Sequence, residues 1–254
     1  MSQVQSVERT FSILEILSKY PEGLSIGKLS KDLELAKSTV HRLLSTLMAK
    51  GYVQQDEQSG HYRLGIQCLV LAGSLLNQLD IRTVAKEALH TLAKSSGEVV
   101  HLCIHDKNEV VYIDKVESDQ TLRMYSQIGR RALMHCTGVG KALLSGFTQE
   151  QLEELIVEKG LPEFTETTIT EQADLDNELR TIKARGYAID EQEHEKGIRC
   201  IAAPIYDHDS KVVAAISIAG PADRVTMERV KGDLAQAMLD QSKHISAKLG
   251  YINN

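Results

Sequence analysis

The sequence predicts an α+β chain. A small N-terminal helical domain closed by a β-hairpin is joined by one helix to a larger C-terminal domain, where helices flank an antiparallel sheet. Three observations predict it. Two amphipathic stripes separated by a tight turn occupy residues 25–53 and are followed at once by a hairpin signal. The run 65–80 is apolar nearly all round. Beyond residue 80, stretches of period two and period 3.6 interleave with turn signals. At 254 residues the chain is long enough for two separate cores.

The first stripe is Val7, Phe11, Leu14 and Leu17. Ile26, Leu29 and Leu33 follow at i, i+3, i+7, and Val40, Leu43, Leu44 and Leu47 at i, i+3, i+4, i+7, so each set makes one buried face. Ser25 is a good N-cap for the first helix of this pair. Lys37 or Ser38 opens the second and Gly51 ends it. Lys37, Ser38, Thr39, His41, Arg42 and Ser45 lie off the apolar stripe, near the start of the second helix. A helix-turn-helix needs polar and cationic residues there, because that end enters the major groove. A helical hairpin with a solvated face is the alternative. Two short runs, 52–55 and 61–64, flank a turn ending in Ser59-Gly60, which reads as the wing of a winged helix. His61, Tyr62 and Arg63 on its return strand are placed to reach the sugar-phosphate backbone. Residues 1–65 are therefore expected to form a DNA-reading domain.

Residues 66–79 form the linking helix. Its apolar surface must be covered, either by a second copy or by the C-terminal domain. A homodimer is expected, because paired readers need a spacer that sets their half-sites about one DNA turn apart. Residues 1–65 carry 8 Lys+Arg against 7 Asp+Glu, while the remainder carries a net −7 of the overall −6. A near-neutral reader on an acidic body suits site-specific binding rather than indiscriminate coating of nucleic acid. The N-terminus has no basic segment leading into an apolar core, no apolar run is long enough for a bilayer, and four cysteines stand at irregular spacings. A cytoplasmic protein with reduced thiols and no membrane partner is expected.

The third domain, 80–254, opens with a helix at 80–95 that turns Ile81, Val84, Ala85, Leu89 and Leu92 inward. A hairpin is expected at 98–105 and 109–117 through Asp106-Lys-Asn108, and a third strand at 122–127. Helices are expected at 138–146, 149–159 and 175–185. Strands follow at 187–191, 198–206 and 211–219, and one long helix at 226–249.

Three constellations could carry chemistry. Gly138-Val-Gly140 opens a helix, where free N–H groups and the helix dipole favour a small anion. Asp190, Cys200 and Ser217 lie on separate apolar strands, either as strand-edge polarity or as the lining of a polar pocket shared with Gly138 and Val139. His101, Cys103 and His105 alternate along one strand, with imidazole and thiolate donors suited to zinc. No close second pair accompanies them beyond His135 and His194, so no metal or other cofactor is expected.

The N-terminal block Gly23-Leu-Ser-Ile…Leu-Ala-Lys-Ser-Thr-Val-His-Arg-Leu-Leu resembles the winged-helix half of IclR-type transcription regulators. The stretch 186–207 resembles that family's signature through Gly186, Asp190, Glu193, Cys200, Ile205, Tyr206 and Asp207, and 214–221 resembles the strand and turn after it. The resemblance implies a GAF-like effector domain, a dimer that often pairs into a tetramer, and binding to a palindromic double-stranded operator. In members that sense glyoxylate or pyruvate, it implies a ligand held by the amides of Gly138 and Val139 and by Asp190, Cys200 and Ser217. This chain has Ala219 where some oxo-acid sensors carry a second Ser.

Two functions follow as expectations. One is an operator-binding regulator, more readily a repressor of a catabolic operon than an activator, which senses a small carboxylate or oxo acid. The other is an enzyme with a DNA-binding appendage that uses Cys200 or Cys136 as nucleophile. No ordered base and orienting partner accompany those thiols, so no catalytic residues are expected.

Overall fold

The computed structural model describes residues 4–78, 80–117 and 127–252, with the side chains of 75–80 left aside. The chain divides into two compact units, 1–78 and 79–254.

In the first unit, α1 (Gln5–Ser18), α2 (Ile26–Asp32) and α3 (Lys37–Ala49) pack around Ile13, Leu17, Leu29, Val40, Leu44 and Leu47. Ser25 caps α2, its Oγ accepting the Lys28 N–H at 3.3 Å. β1 (Val53–Gln55) and β2 (Tyr62–Leu64) pair antiparallel as the wing. Asp56 holds the wing tip by accepting from the Ser59 N–H and hydroxyl, both at 2.8 Å. α4 (Ile66–Gln78) follows. The stripe expected on α1 is corrected. Ile13 and Leu17 point into the core, whereas Val7 and Phe11 are 51% and 59% exposed. The α1 sequence is apolar on two faces, and only the face centred on Ile13 has a partner within this unit.

The second unit is built on an antiparallel sheet in the order β5-β4-β3-β8-β7-β6 among the described residues. Its strands are β3 (Val99–Asp106), β4 (Glu109–Val116), β5 (Arg131–Ala132), β6 (Ala188–Glu191), β7 (Ile198–Tyr206) and β8 (Val212–Pro221). Lys107 and Asn108 both have positive φ, which makes the β3–β4 connection a tight hairpin turn whose twist suits the strands. One sheet face packs on α5 (Asp80–Ser96), α9 (Met227–Lys231) and α10 (Asp233–Lys248) through Val100, Leu102, Ile201, Ile216 and Ile218. The other packs on α6 (Gly138–Leu144), α7 (Gln149–Lys159) and α8 (Gln172–Arg185) through Cys103, Cys200, Ala202, Ala215 and Ala219. Strand alternation thus sends the larger Ile and Leu side chains to the first face, with Ala203 and Ala214 among them, and mostly Ala and Cys to the second.

The strand expected at 122–127 lies outside the described residues except for Gln127, which is not in a strand. The single helix expected at 226–249 is two helices, broken at Gly232 (φ −108°, ψ −111°). Strand β5 had no periodic signal, being two residues long. No described helix is long and apolar enough to cross a membrane.

Candidate DNA-reading surface and effector cavity

On α3, Lys37, Ser38, His41, Arg42 and Ser45 are exposed and Thr39 is half-buried. This leaves a polar front over the Val40–Leu44–Leu47 back. Ser45 Oγ donates to the His41 carbonyl at 2.9 Å, and Ser25 is exposed at the start of α2. On the wing, Arg63 is exposed and His61 half-buried, but Tyr62 is 6% exposed. Tyr62 as a DNA-reaching side chain is therefore corrected. Period-two alternation turns it inward between its neighbours, and its N–H and carbonyl bond to the Leu24 backbone at 2.8 and 2.9 Å.

In the second unit, Gly138, Val139, Asp190, Cys200 and Ser217 line one cavity. It holds about 670 Å³ of space, open solvent included. Cys200 stands opposite Asp190 on one side and Ala219 on the other, and Ser217 opposite His101, so all project from the α6 face of the sheet. Thr137 caps α6, its Oγ1 accepting the Gly140 N–H at 3.1 Å. Two glycines make room for α6, Gly138 against the sheet and Gly140 against the segment that leads into the helix. A Cβ on Gly140 would overlap the Met134 backbone, and one on Gly138 would sit 2.9 Å from Cys200 Sγ.

The two ends of the chain match the family models for the IclR helix-turn-helix domain, at residues 6–57, and for the bacterial transcriptional regulator IclR C-terminal domain, at residues 73–247. The chain belongs to the IclR family of bacterial transcriptional regulators. It is 36% identical to the HTH-type transcriptional regulator XynR of Escherichia coli K12, over 99% of each chain. It is 38% identical to the HTH-type transcriptional repressor AllR of Salmonella paratyphi A, over 97% of this chain and 90% of the relative. Among solved structures, the Thermotoga maritima IclR superposes with a TM-score of 0.82 at 32% identity, covering 98% of this chain and all of the other.

Several residues of this cavity are unexpected in it: Tyr112, Arg130 and Thr137 have no signal in the sequence, and His101 and His194 stand out there only as metal candidates. His101 Nδ1 lies 3.3 Å from Ser217 Oγ, and its ring meets Tyr112 edge-on at 5.2 Å. Burial, with the Lys115 charge adding to it, drives the His101 pKa down to about 3, so the ring is neutral. His105, four residues further on β3, is exposed and accepts the Asn108 N–H at 3.1 Å. His101 and His105 thus serve different neighbours. Among the described residues no group of three His, Cys, Asp or Glu could hold a metal ion.

Asp190 is buried, and its Oδ1 accepts the Glu193 N–H at 2.7 Å. Glu193 Oε1 takes the Lys141 ammonium at 2.5 Å and the Glu191 N–H at 3.3 Å, whereas its Oε2 has no hydrogen-bond partner among the described residues. Lys141 is 1% exposed, with Glu178 at 3.9 Å beyond. Three hydroxyls pin the same turn from outside. Thr165 donates to Gln192 O at 2.8 Å, Thr167 to Glu191 O at 3.0 Å, and Thr168 to Glu193 O at 2.5 Å. Burial raises the thiols of Cys200 and Cys136 to about 12. Both stay protonated at neutral pH, unsuited to nucleophilic attack. Cys136 Sγ lies 3.6 Å from His194 Nδ1, but burial lowers that imidazole's pKa as well.

Proposed function

We propose that this protein is an operator-binding repressor of a catabolic operon whose second unit senses a small carboxylate or oxo acid. The observation that carries the reading is the convergence of Gly138, Val139, Asp190, Cys200 and Ser217 on one cavity. The N–H groups of Gly138 and Val139 have no acceptor among the described residues, so they suit an anionic oxygen. Ser217, Thr137 and Tyr112 supply hydroxyls, Arg130 a positive charge, and Ala219 and Ile198 an apolar wall. The chemistry is that of a ligand of few atoms with one charged end.

On the DNA side, Lys37, Ser38, Thr39, His41, Arg42 and Ser45 reach into the major groove, while Ser25, His61 and Arg63 meet the backbone. A homodimer places two such readers on a palindromic operator, and a dimer of dimers extends the contact. Two apolar surfaces of the first unit support self-association. Val4, Val7 and Phe11 of α1 and its approach are exposed, as are Ile66, Leu69, Val70 and Leu71 of α4. Residues 1–65 act as the reader, 66–79 as the dimerising link and 80–254 as the sensor, working in the cytoplasm without cofactor or catalysis. The effector changes operator affinity by as much as it distinguishes the two states of the dimer.

The test is a gel shift of the DNA beside the protein's own gene, with the full chain, across salt and with pyruvate, glyoxylate and acetate added. A sequence-selective, salt-dependent shift relieved by one of the acids supports the reading. Asp190→Ala should keep operator binding and lose the relief. No selective shift at any salt concentration removes the reading.

A further inference from the structure

We propose that the anion enters the cavity together with one proton. Asp190 keeps that proton and donates it, which makes the protonated Asp190 carboxyl the specificity-determining donor that favours a singly charged acid anion over ammonium or amidinium ligands. The inference rests on the carboxylate-sensing reading above.

Two carboxyl groups, Asp190 and Glu193, are buried three residues apart beside the start of α6. The ammonium at bonding distance, Lys141 Nζ, sits on Glu193 Oε1 at 2.5 Å, with Glu178 as its second neighbour. Asp190 receives the Glu193 backbone N–H instead, so its charge is met by a dipole rather than by a cation. The groups that face it come from every neighbouring element. Glu193 and His194 belong to its own turn, Cys200 lies across the β6–β7 pair, Cys136 and Lys141 come from the α6 side, and Tyr112 from β4. Arg130 lines the same cavity as a cation, the exposed Glu195 as a further carboxylate, and His101 as a neutral ring. Burial first, and the Glu193 charge second, already hold Asp190 well above the ordinary carboxylate range, at about 7.

An anion seated beside an ionised Asp190 would set two like charges in one enclosure, which raises the Asp190 affinity for a proton further. An oxo acid is itself fully ionised near neutrality, so the proton comes from solvent and stays on the Asp190 carboxyl. Its O–H then points to an oxygen of the ligand. No bond other than this O–H is made or broken, and one proton is taken up per anion bound.

The full-length protein carrying 13C at its Asp carboxyl carbons reports this first without any ligand. One resonance, absent from Asp190→Asn, should titrate near neutrality; if that same resonance titrates below pH 5, the inference is overturned. Calorimetric titration with pyruvate and with glyoxylate, in two buffers of different ionisation enthalpy at pH 8, should show uptake close to one proton. The Kd should weaken about tenfold per pH unit above the Asp190 titration. Asp190→Asn, a neutral donor, should bind more weakly than wild type and with a flat pH profile, and Asp190→Ala more weakly still. Acid binding with a pH-independent Kd overturns the proton inference and leaves the carboxylate reading standing. Binding of ethylammonium or guanidinium in place of the acids overturns both, as does the failure of both acids to bind at any pH.

Discussion

Replacing Lys141 by Met tests whether the buried ion pair holds the effector turn. Lys141 is 1% exposed, its Nζ is 2.5 Å from Glu193 Oε1, and Glu178 is the next charge at 3.9 Å. Methionine keeps most of the side-chain length and volume, so packing loss is small. What remains is a buried carboxylate without its counter-ion, for which the cost is about 3–5 kcal/mol. That cost must depend on pH, and the sign is fixed. Burial already raises the Glu193 pKa, with the Lys141 charge pulling it back, so removing Lys141 raises it further. An acid with a raised folded pKa holds a proton that the unfolded chain releases. The penalty is therefore absent below the unfolded value, grows as pH rises above it, and is complete above the folded value. Lys141→Met should be far less stable than wild type at pH 8 and closer to it at pH 5.

The assay is urea unfolding of the full chain followed by far-ultraviolet circular dichroism at both pH values, with the transitions of the two units fitted separately. Adding Glu193→Gln to Lys141→Met should recover most of the loss at pH 8, because the amide needs no counter-ion. A loss equal at pH 5 and pH 8, or a double variant no better than the single one, would refute the reasoning. The pair would then act through packing alone.

Arg42→Ala should weaken binding to specific and non-specific DNA alike and reduce the slope of log affinity against log salt by about 1, as one lost phosphate contact requires. Tyr62→Ala should destabilise the first unit by about 3–5 kcal/mol in the same unfolding assay. Tyr62→Phe should cost under about 1.5 kcal/mol. Gly138→Ala should weaken acid binding in the calorimeter at least tenfold, since its Cβ would press on Cys200 Sγ; unchanged binding would move the ligand away from that end of α6. Phe11→Glu with Leu69→Glu should yield monomers by sedimentation and lower operator affinity, while leaving the fold of each unit intact.

What the sequence made legible was whatever local periodicity controls. The α3 stripe, the N-cap Ser25 and the hairpin at Lys107-Asn108 are each decided within a few residues of chain. Asp190, Cys200 and Ser217 could be offered as one cavity lining because polar residues within strands of Ala, Ile and Val call for partners, with strand-edge polarity as the alternative. The misreadings occurred where a residue's partner is distant or absent. Val7 and Phe11 share the helical period of a core face, and periodicity cannot say which of two apolar faces meets the rest of the unit. Tyr62 has the chemistry of a phosphate contact, but strand phase turns it inward. The Thr165–Thr168 hydroxyls act on carbonyls about 25 residues away, a distance that no local pattern encodes.

The cavity itself depends on small residues more than on polar ones. Ala202, Ala215 and Ala219 on the sheet and Gly138 on α6 let the helix lie close to the strands, Gly140 lets the preceding segment fold tightly onto it, and all seven of its residues are buried, Lys141 included. Such an approach is costly for a helix, because glycine forfeits helix propensity and a lysine loses its hydration. The Lys141–Glu193 pair offsets the second cost. In doing so it fixes the turn whose backbone N–H bonds Asp190, so the residues that stabilise the close approach also orient the carboxyl that faces the cavity. Ala219 belongs to the same logic: it stands beside Cys200 where a hydroxyl would have added a polar contact, and a methyl there keeps that wall apolar. On the proposed carboxylate-sensing reading, recognition in this cavity is thereby concentrated on the α6 amides, Ser217 and Asp190, which would limit it to ligands small enough to touch all three at once.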